Sequence, residues 1–125
     1  MNNNFINNCY DKFIEDVTSR KLVAYGAVTN IAEIMSSLKL PIDRIEYIID
    51  KDVMKHYTAM NGIPICPVEK LMDEIPDDIV VLIMIRSIYS AQKTLKCMGV
   101  RNYYAYYVFV EIILDNGFQL INLKE

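Results

Sequence analysis

The chain has 125 residues, 53% of them hydrophobic, and a formal net charge of -3. A chain of this length hides roughly two-thirds of its unfolded surface on folding, enough for one core, so a single domain is expected. Mild acidity without a basic stripe excludes counter-ion-driven binding to nucleic acid.

No run approaches the roughly 18 apolar residues of a membrane helix, and Met1-Asn2-Asn3-Asn4-Phe5 has no cationic segment ahead of an apolar one. The expectation is a cytoplasmic chain with neither signal peptide nor membrane contact. Cys9, Cys66 and Cys97 are odd in number, far apart and lack C-x-x-C spacing, which argues against disulfides and zinc. They read as small buried apolar residues.

From Ile6 the apolar residues Ile6, Tyr10, Phe13, Ile14 and Val17 form one stripe of a helix, with Asp11, Lys12, Glu15 and Asp16 opposite. This leading helix has to bury its stripe on the sheet edge or against a second copy of the chain. Leu22 to Tyr25 is apolar without alternation, as in a parallel strand covered on both faces, and Gly26 marks a turn. Ile31, Ile34, Met35 and Leu38 then space as a helix, with Thr29 or Asn30 placed to cap it and Pro41 to stop it. Ile45 to Ile49 is a second solid strand, closed by Asp50.

Val53 to Asn61 reads as one loose turn. Ile63 to Cys66 is a short strand, and Pro64 within it places it at or near an edge. Val68 to Ile75 supplies a short helix between Pro67 and Pro76. Ile79 to Ile85 is the most apolar run and is expected at the centre of the sheet. Arg86 and Ser87 leave its carboxyl end, Ser87 as a cap, and a helix through Ile88, Ala91, Leu95 and Met98 stops at Gly99. Val100 to Tyr104 turns into a last parallel strand. Tyr106 to Leu123 fits a helix ending at Gly117, with Asn116-Gly117 as a competing hairpin signal.

Tyr25-Gly26-Ala27, Tyr47-Ile48-Ile49-Asp50, Gly62-Ile63-Pro64-Ile65 and Gly99-Val100-Arg101-Asn102-Tyr103-Tyr104 follow one another in a telling order. Over about Arg20 to Tyr104 the chain resembles the small Rossmann-like modules of bacterial sugar-modifying enzymes. These are the N-terminal domain of nucleotide-sugar acyltransferases and the C-terminal module of sugar C-methyltransferases. The resemblance to the acyltransferases implies a nucleotide-sugar held at the glycine turn and at the acid after the second strand. The catalytic part of those enzymes is a separate domain without a counterpart in this sequence.

In G-x-G-x-x-G register from Gly26, the second position is Val28 and the third Ile31. Valine obstructs backbone approach to a pyrophosphate, and isoleucine pushes helix and strand apart, so the standard dinucleotide grip is degraded. Ala27, Thr29 and Asn30, at the following helix start, remain to meet an anion. Asp50 stands 24 positions after Gly26, where an acid accepts ribose hydroxyls; a surface acid closing a strand would look the same. Arg86 and Ser87 leave a strand at the edge where open α/β sheets bind ligands, although a solvated arginine is equally ordinary there.

Tyr89 to Lys93 matches the Y-x-x-x-K of short-chain dehydrogenases but comes too early in the chain and without a catalytic serine, so it is read as chance. His56, the lone histidine, has no telling partner, and no metal constellation is present. Tyr103, Tyr104, Tyr106 and Tyr107 read as packing or an oligomer interface, with stacking on a base or sugar as the functional alternative.

The expected fold is α/β, a Rossmann-like three-layer sandwich with a mainly parallel sheet of about five strands. It comprises a leading helix (1–19), a βαβ core (20–105) and a C-terminal extension (106–125). The first functional expectation is a stand-alone module, without catalysis of its own, with a degenerate nucleotide or nucleotide-sugar site at Gly26, Ala27, Thr29, Asn30, Asp50, Arg86 and Ser87. The alternative is an interaction domain that lost its ligand and works as a homodimer or as a subunit of a glycan-modifying enzyme. An NAD-dependent reductase ranks third, because substrate domain and proton donor are both lacking.

Overall fold

Short strands that are apolar along their whole length can only be satisfied with cover on both faces, and the chain supplies that cover alternately. In a computed structural model, which describes residues 3–109 and side chains from residue 9 onward, the order is α1 (Asn3–Ser19), β1 (Lys21–Tyr25), α2 (Ile31–Ser37), β2 (Ile45–Ile49), β3 (Ala59–Met60), β4 (Ile63–Cys66), β5 (Ile79–Ile83), α3 (Ile88–Cys97) and β6 (Tyr103–Ala105). Short 3-10 segments occupy Ile42–Arg44, Val53–Lys55, Val68–Asp73 and Pro76–Asp78. Residues 106 to 109 are helical. The remainder of the expected helix to Gly117, the competing hairpin and the apolar end of the chain lie outside the described residues.

The sheet order is β3-β4-β2-β1-β5-β6, all neighbours parallel except the pair β3 and β4. Without β3, the strands stand in the doubly wound Rossmann order, in which the chain first adds strands on one side of β1 and then on the other. β1 and β5 are in continuous register from Lys21 opposite Ile79 to Tyr25 opposite Ile83. The β1 to β2 pairing carries an irregularity between Leu22 and Val23.

Alternation along the strands sorts the core into two. Leu22, Ala24, Ile48, Val80 and Leu82 face α1 and α2, together with Tyr106 and Phe109. Val23, Tyr25, Ile49, Val81 and Ile83 face the Val68–Asp73 segment and α3, with Val68, Leu71, Ala91 and Leu95 buried there. The three-layer α/β arrangement expected from sequence is the one observed.

Particular elements differ. The most apolar run, β5, is buried at all five positions, yet it is interior rather than central: β1 and β2 hold the middle and only β6 lies beyond β5. Val68–Asp73 winds as a 3-10 segment instead of an α-helix. The loose turn at Val53 to Asn61 contains a 3-10 turn and the strand β3, which pairs antiparallel with β4 across Asn61-Gly62. Both turn residues have positive φ, +53° and +80°, the requirement of a two-residue hairpin loop. β4 is consequently next to the edge, and Pro64 lies opposite Ala59.

From Tyr10 onward, the stripe of the leading helix packs on its own chain. Phe13 packs on Tyr104 of the edge strand β6 and on Phe109, with ring centroids 5.3 and 5.2 Å apart, and Tyr10 donates its hydroxyl proton to Leu38 O at 2.9 Å. Asp16, expected on the solvated face, is 5% exposed. It accepts from Tyr104 Oη and from Arg20, whose Nε also reaches Asp77 O, so one carboxylate ties α1 to β6 and to the loop before β5. The cysteines do not behave alike: Cys9 and Cys66 are half-buried and Cys97 is exposed. Among the described residues, no helix is long and apolar enough to cross a membrane.

Candidate functional site

Parallel strands put the turns that follow them at one edge, and in an open sheet the crevice lies beyond the carboxyl ends where strand order reverses. Here that edge carries the turn after β1, the loop after β2 and the start of the β5 to α3 connection. Gly26 N donates to Ile49 O at 2.8 Å and Met84 N to Tyr25 O at 3.0 Å, so the glycine turn is stitched to both neighbours of β1.

Gly26 itself is constrained twice. Its φ of +116° lies outside the reach of ordinary L-residues, and a Cβ there would fall 2.5 Å from Ile85 Cγ2. Isoleucine from the β5 end therefore fills space that an open glycine loop would leave to a ligand.

Asp50 Oδ2 accepts the Ala27 N–H at 2.8 Å, and Oδ1 accepts the Asp52 N–H at 2.8 Å. The acid after β2 and the turn after β1 thus meet, as their spacing suggested, but they meet each other. A backbone donor of the kind that cradles phosphate is taken by a carboxylate belonging to the protein. The same carboxylate places negative charge where a pyrophosphate would approach.

Two residues that sequence reasoning passed over join this cluster. Lys55 Nζ approaches Ala27 O at 3.5 Å, and His56 Nε2 lies 2.6 Å from the Asp50 carbonyl oxygen. A carbonyl only accepts, so Nε2 is the donor in that contact. The 3-10 turn that delivers both residues begins at Asp52, whose side chain caps Met54 N at 3.0 Å. Asp52 two residues ahead of Met54 was the available sequence signal for this cap.

The other expected site residues are placed less tightly. Thr29 is exposed, and Asn30 occupies the N-cap position of α2 without a side-chain cap bond. The helix that they precede, α2, is seven residues long. Arg86 and Ser87 are exposed at the same sheet edge; Ser87 sits at the N-cap of α3, again without a side-chain bond. The Arg86 guanidinium lies over the Tyr107 ring, 4.6 Å from its centroid. That contact is a cation on an aromatic face.

The tyrosine cluster serves the fold. Tyr103 Oη accepts from Gln92 at 3.1 Å, Tyr104 is bound to Asp16, and Tyr106 is fully buried. Burial, reinforced by the hydrogen bond to Asp16, holds the Tyr104 phenol well above its ordinary ionisation range. Tyr89 of the Y-x-x-x-K match is 85% exposed on α3, away from any enclosed environment that would tune it. Among the described residues, no group of histidine, cysteine and carboxylate side chains could hold a metal.

The profile of the C-methyltransferase C-terminal domain matches residues 7–104, which is α1 and the whole sheet as far as β6. The chain belongs to that family. No curated protein matches it. In this C-methyltransferase C-terminal domain, the cluster around Ala27 and Asp50 brings a carboxylate, an ammonium and an imidazole to one edge of the sheet. The chemistry available there is hydrogen bonding through Asp50, Lys55 and His56.

Proposed function

We propose that this C-methyltransferase C-terminal domain is a non-catalytic binding module of sugar modification in the cytoplasm. It holds a nucleotide or nucleotide-sugar at the carboxyl edge of its sheet by the ligand's hydroxyls instead of its pyrophosphate. The observation that carries this reading is the hydrogen bond from Ala27 N to Asp50 Oδ2. With the Asp52 N–H on Oδ1, it occupies one acceptor site on each carboxylate oxygen and leaves each oxygen a further one, for which a ribose or sugar hydroxyl is a suitable donor. A phosphate, which offers only acceptors, gains nothing from Asp50. The resemblance of Tyr25-Gly26-Ala27 and Asp50 to the nucleotide-sugar acyltransferase module supports the same ligand class. In this reading methyl transfer belongs to a catalytic domain and not to this module.

Calorimetric titration with UDP-glucose, uridine and inorganic pyrophosphate tests the reading. Saturable binding of UDP-glucose and uridine, weakened by Asp50→Asn, with none of pyrophosphate alone, is the expected pattern. Asparagine keeps an acceptor for Ala27 N–H and removes the charge that a hydroxyl prefers. Tight binding of pyrophosphate, or of none of the three, would refute it.

A second reading, an interaction domain that has lost its ligand, draws on the closure of Gly26 by Ile85 and on the exposed side chains of Val53, Met54 and Tyr57 at the same edge. Its mark is an inert homodimer in size-exclusion chromatography with light scattering.

A further inference from the structure

β3 ends the strand order, and no described strand lies beyond it. The described chain finishes at Phe109, stacked on Tyr104 of β6 at the opposite end of the sheet.

The open edge presents Ala59. Its neighbour across the hairpin is Pro64, which has no N–H to give, and Met60 pairs with Ile63 next to the two-residue turn. Hydrogen-bonded and non-hydrogen-bonded pairs alternate along an antiparallel ladder, so Ala59 falls in a non-hydrogen-bonded pair and turns both its N–H and its C=O away from β4. Beyond this pair, Tyr57 N donates to Ile65 O and Ile65 N to Thr58 O, both at 2.8 Å, so two residues of the edge chain stand against one of β4. That is a β-bulge, and Tyr57, at φ +66°, is left with its ring 85% exposed. Val53 and Met54 of the same loop are 73% and 83% exposed.

From Tyr57 to Gly62 no side chain carries a charge. Sheet edges are ordinarily guarded against pairing by lysine or proline, and β3 has neither. A strand that pairs with itself about a two-fold axis meets its own charges, so a neutral one is the kind that does so without repulsion. An axis beside Ala59 lets its N–H donate to the O of the partner's Ala59 and its O accept the reverse bond. The bulge confines regular pairing to this short stretch.

We propose that β3 is a homodimerisation edge, at which two copies of the chain pair antiparallel through Ala59 and Tyr57 of each lies across from the partner's Asn61. This deepens the second reading above, on whose homodimer it rests, by giving the dimer its surface. It makes no use of Gly26, Ala27 or Asp50.

Sedimentation velocity of the full chain over a dilution series tests it. A monomer–dimer equilibrium is expected, and a weak one, because so short a pairing falls at or below the low end of stable interfaces, about 1,200 Å². Ala59→Pro removes the outward donor and none of the bonds to β4, and weakens the dimer by about 10-fold or more, since symmetry forfeits two hydrogen bonds at once. Tyr57→Asp installs a residue that tolerates positive φ, removes the ring and puts charge into a neutral contact, with a loss of about 10-fold or more expected. Tyr89→Asp, equally exposed but on α3, leaves the dimer unchanged. Melting of each variant at dilutions where the chain is monomeric reports folding apart from pairing, and if Ala59→Pro does not fold, Tyr57→Asp decides alone. A monomer at every concentration overturns the proposal together with the second reading, leaves the edge to a different partner, and does not touch the nucleotide titration. A dimer that survives either substitution in a folded variant, or that Tyr89→Asp disrupts, overturns the β3 edge while leaving the second reading in place.

Discussion

Gly26 and Ile85 meet so closely that a single added carbon on the glycine would sit 2.5 Å from Ile85 Cγ2. Gly26→Ala therefore meets two costs: a backbone φ of +116° that alanine avoids, and an overlap that can be relieved only by moving a residue at the end of β5. A loss of about 2–4 kcal/mol in urea denaturation is expected from strain and overpacking together. Adding Ile85→Ala recovers only the steric share. A double variant as stable as wild type would show that the φ itself costs nothing.

Asp50 is both a candidate ligand group and a structural one, and the two roles separate by substitution. Asp50→Ala leaves the N–H groups of Ala27 and Asp52 without their acceptor, at a cost of about 1–3 kcal/mol. Asp50→Asn retains one acceptor oxygen and should lose less than half as much. Chemical denaturation of the two variants side by side checks the order. Equal losses would mean that charge, and not hydrogen bonding, holds the turn to the loop.

The fold was legible because its strands are short, solidly apolar and bounded by Gly26, Pro41, Pro76 and Gly99, each of which acts through its own backbone geometry. The hairpin at Asn61-Gly62 was equally legible in principle. It was missed because β3 has two residues and no apolar pattern to announce it, although the Asn-Gly pair did. Asp16 misled because helical periodicity places it with the polar residues, whereas its burial depends on Tyr104, 88 positions away. The candidate site was legible as a location and not as a chemistry. Spacing brought Gly26 and Asp50 to one edge, but nothing local to either residue says that Asp50 bonds to Ala27 or that Lys55 and His56 arrive beside it.

Tyr57 offers a test of the backbone strain in the loop between β2 and β3. A tyrosine at φ +66° costs about 1–2 kcal/mol relative to glycine, offset in part by the extra chain entropy that glycine loses on folding. Because its side chain is almost wholly in solvent, little packing is forfeited on removal. Tyr57→Gly is expected to stabilise the protein by about 0.5–1 kcal/mol in thermal or urea unfolding. Destabilisation would mean that the ring contact with His56, with centroids 6.2 Å apart, carries more than its exposure implies.

Three phenols make the alkaline limit of stability specific. Burial, then the hydrogen bond to Glu74, raises the Tyr47 phenol far above its ordinary value of 10.0. Burial and Asp16 do the same for Tyr104. Burial pushes Tyr106 up to about 12, with the Ser37 hydroxyl acting in the opposite direction. Above pH 10 the unfolded chain releases these protons while the folded chain keeps them, so the folded state binds more protons and unfolding becomes easier as pH rises. The stabilisation is complete below pH 10 and is lost through the folded-state values, from about 12 upward for the last of its share in Tyr106. Among the described residues Tyr106 Oη makes no hydrogen bond, and the Ser37 proton goes to Ile34 O at 2.7 Å. Tyr106→Phe therefore removes a buried, unsatisfied hydroxyl and is expected to leave stability at pH 7 unchanged or raised by up to about 1 kcal/mol. It should also make the decline between pH 10 and 12 shallower. Urea midpoints of the two proteins measured at intervals from pH 7 to pH 12 decide both points, and a clear loss at pH 7 would show that the hydroxyl is bonded.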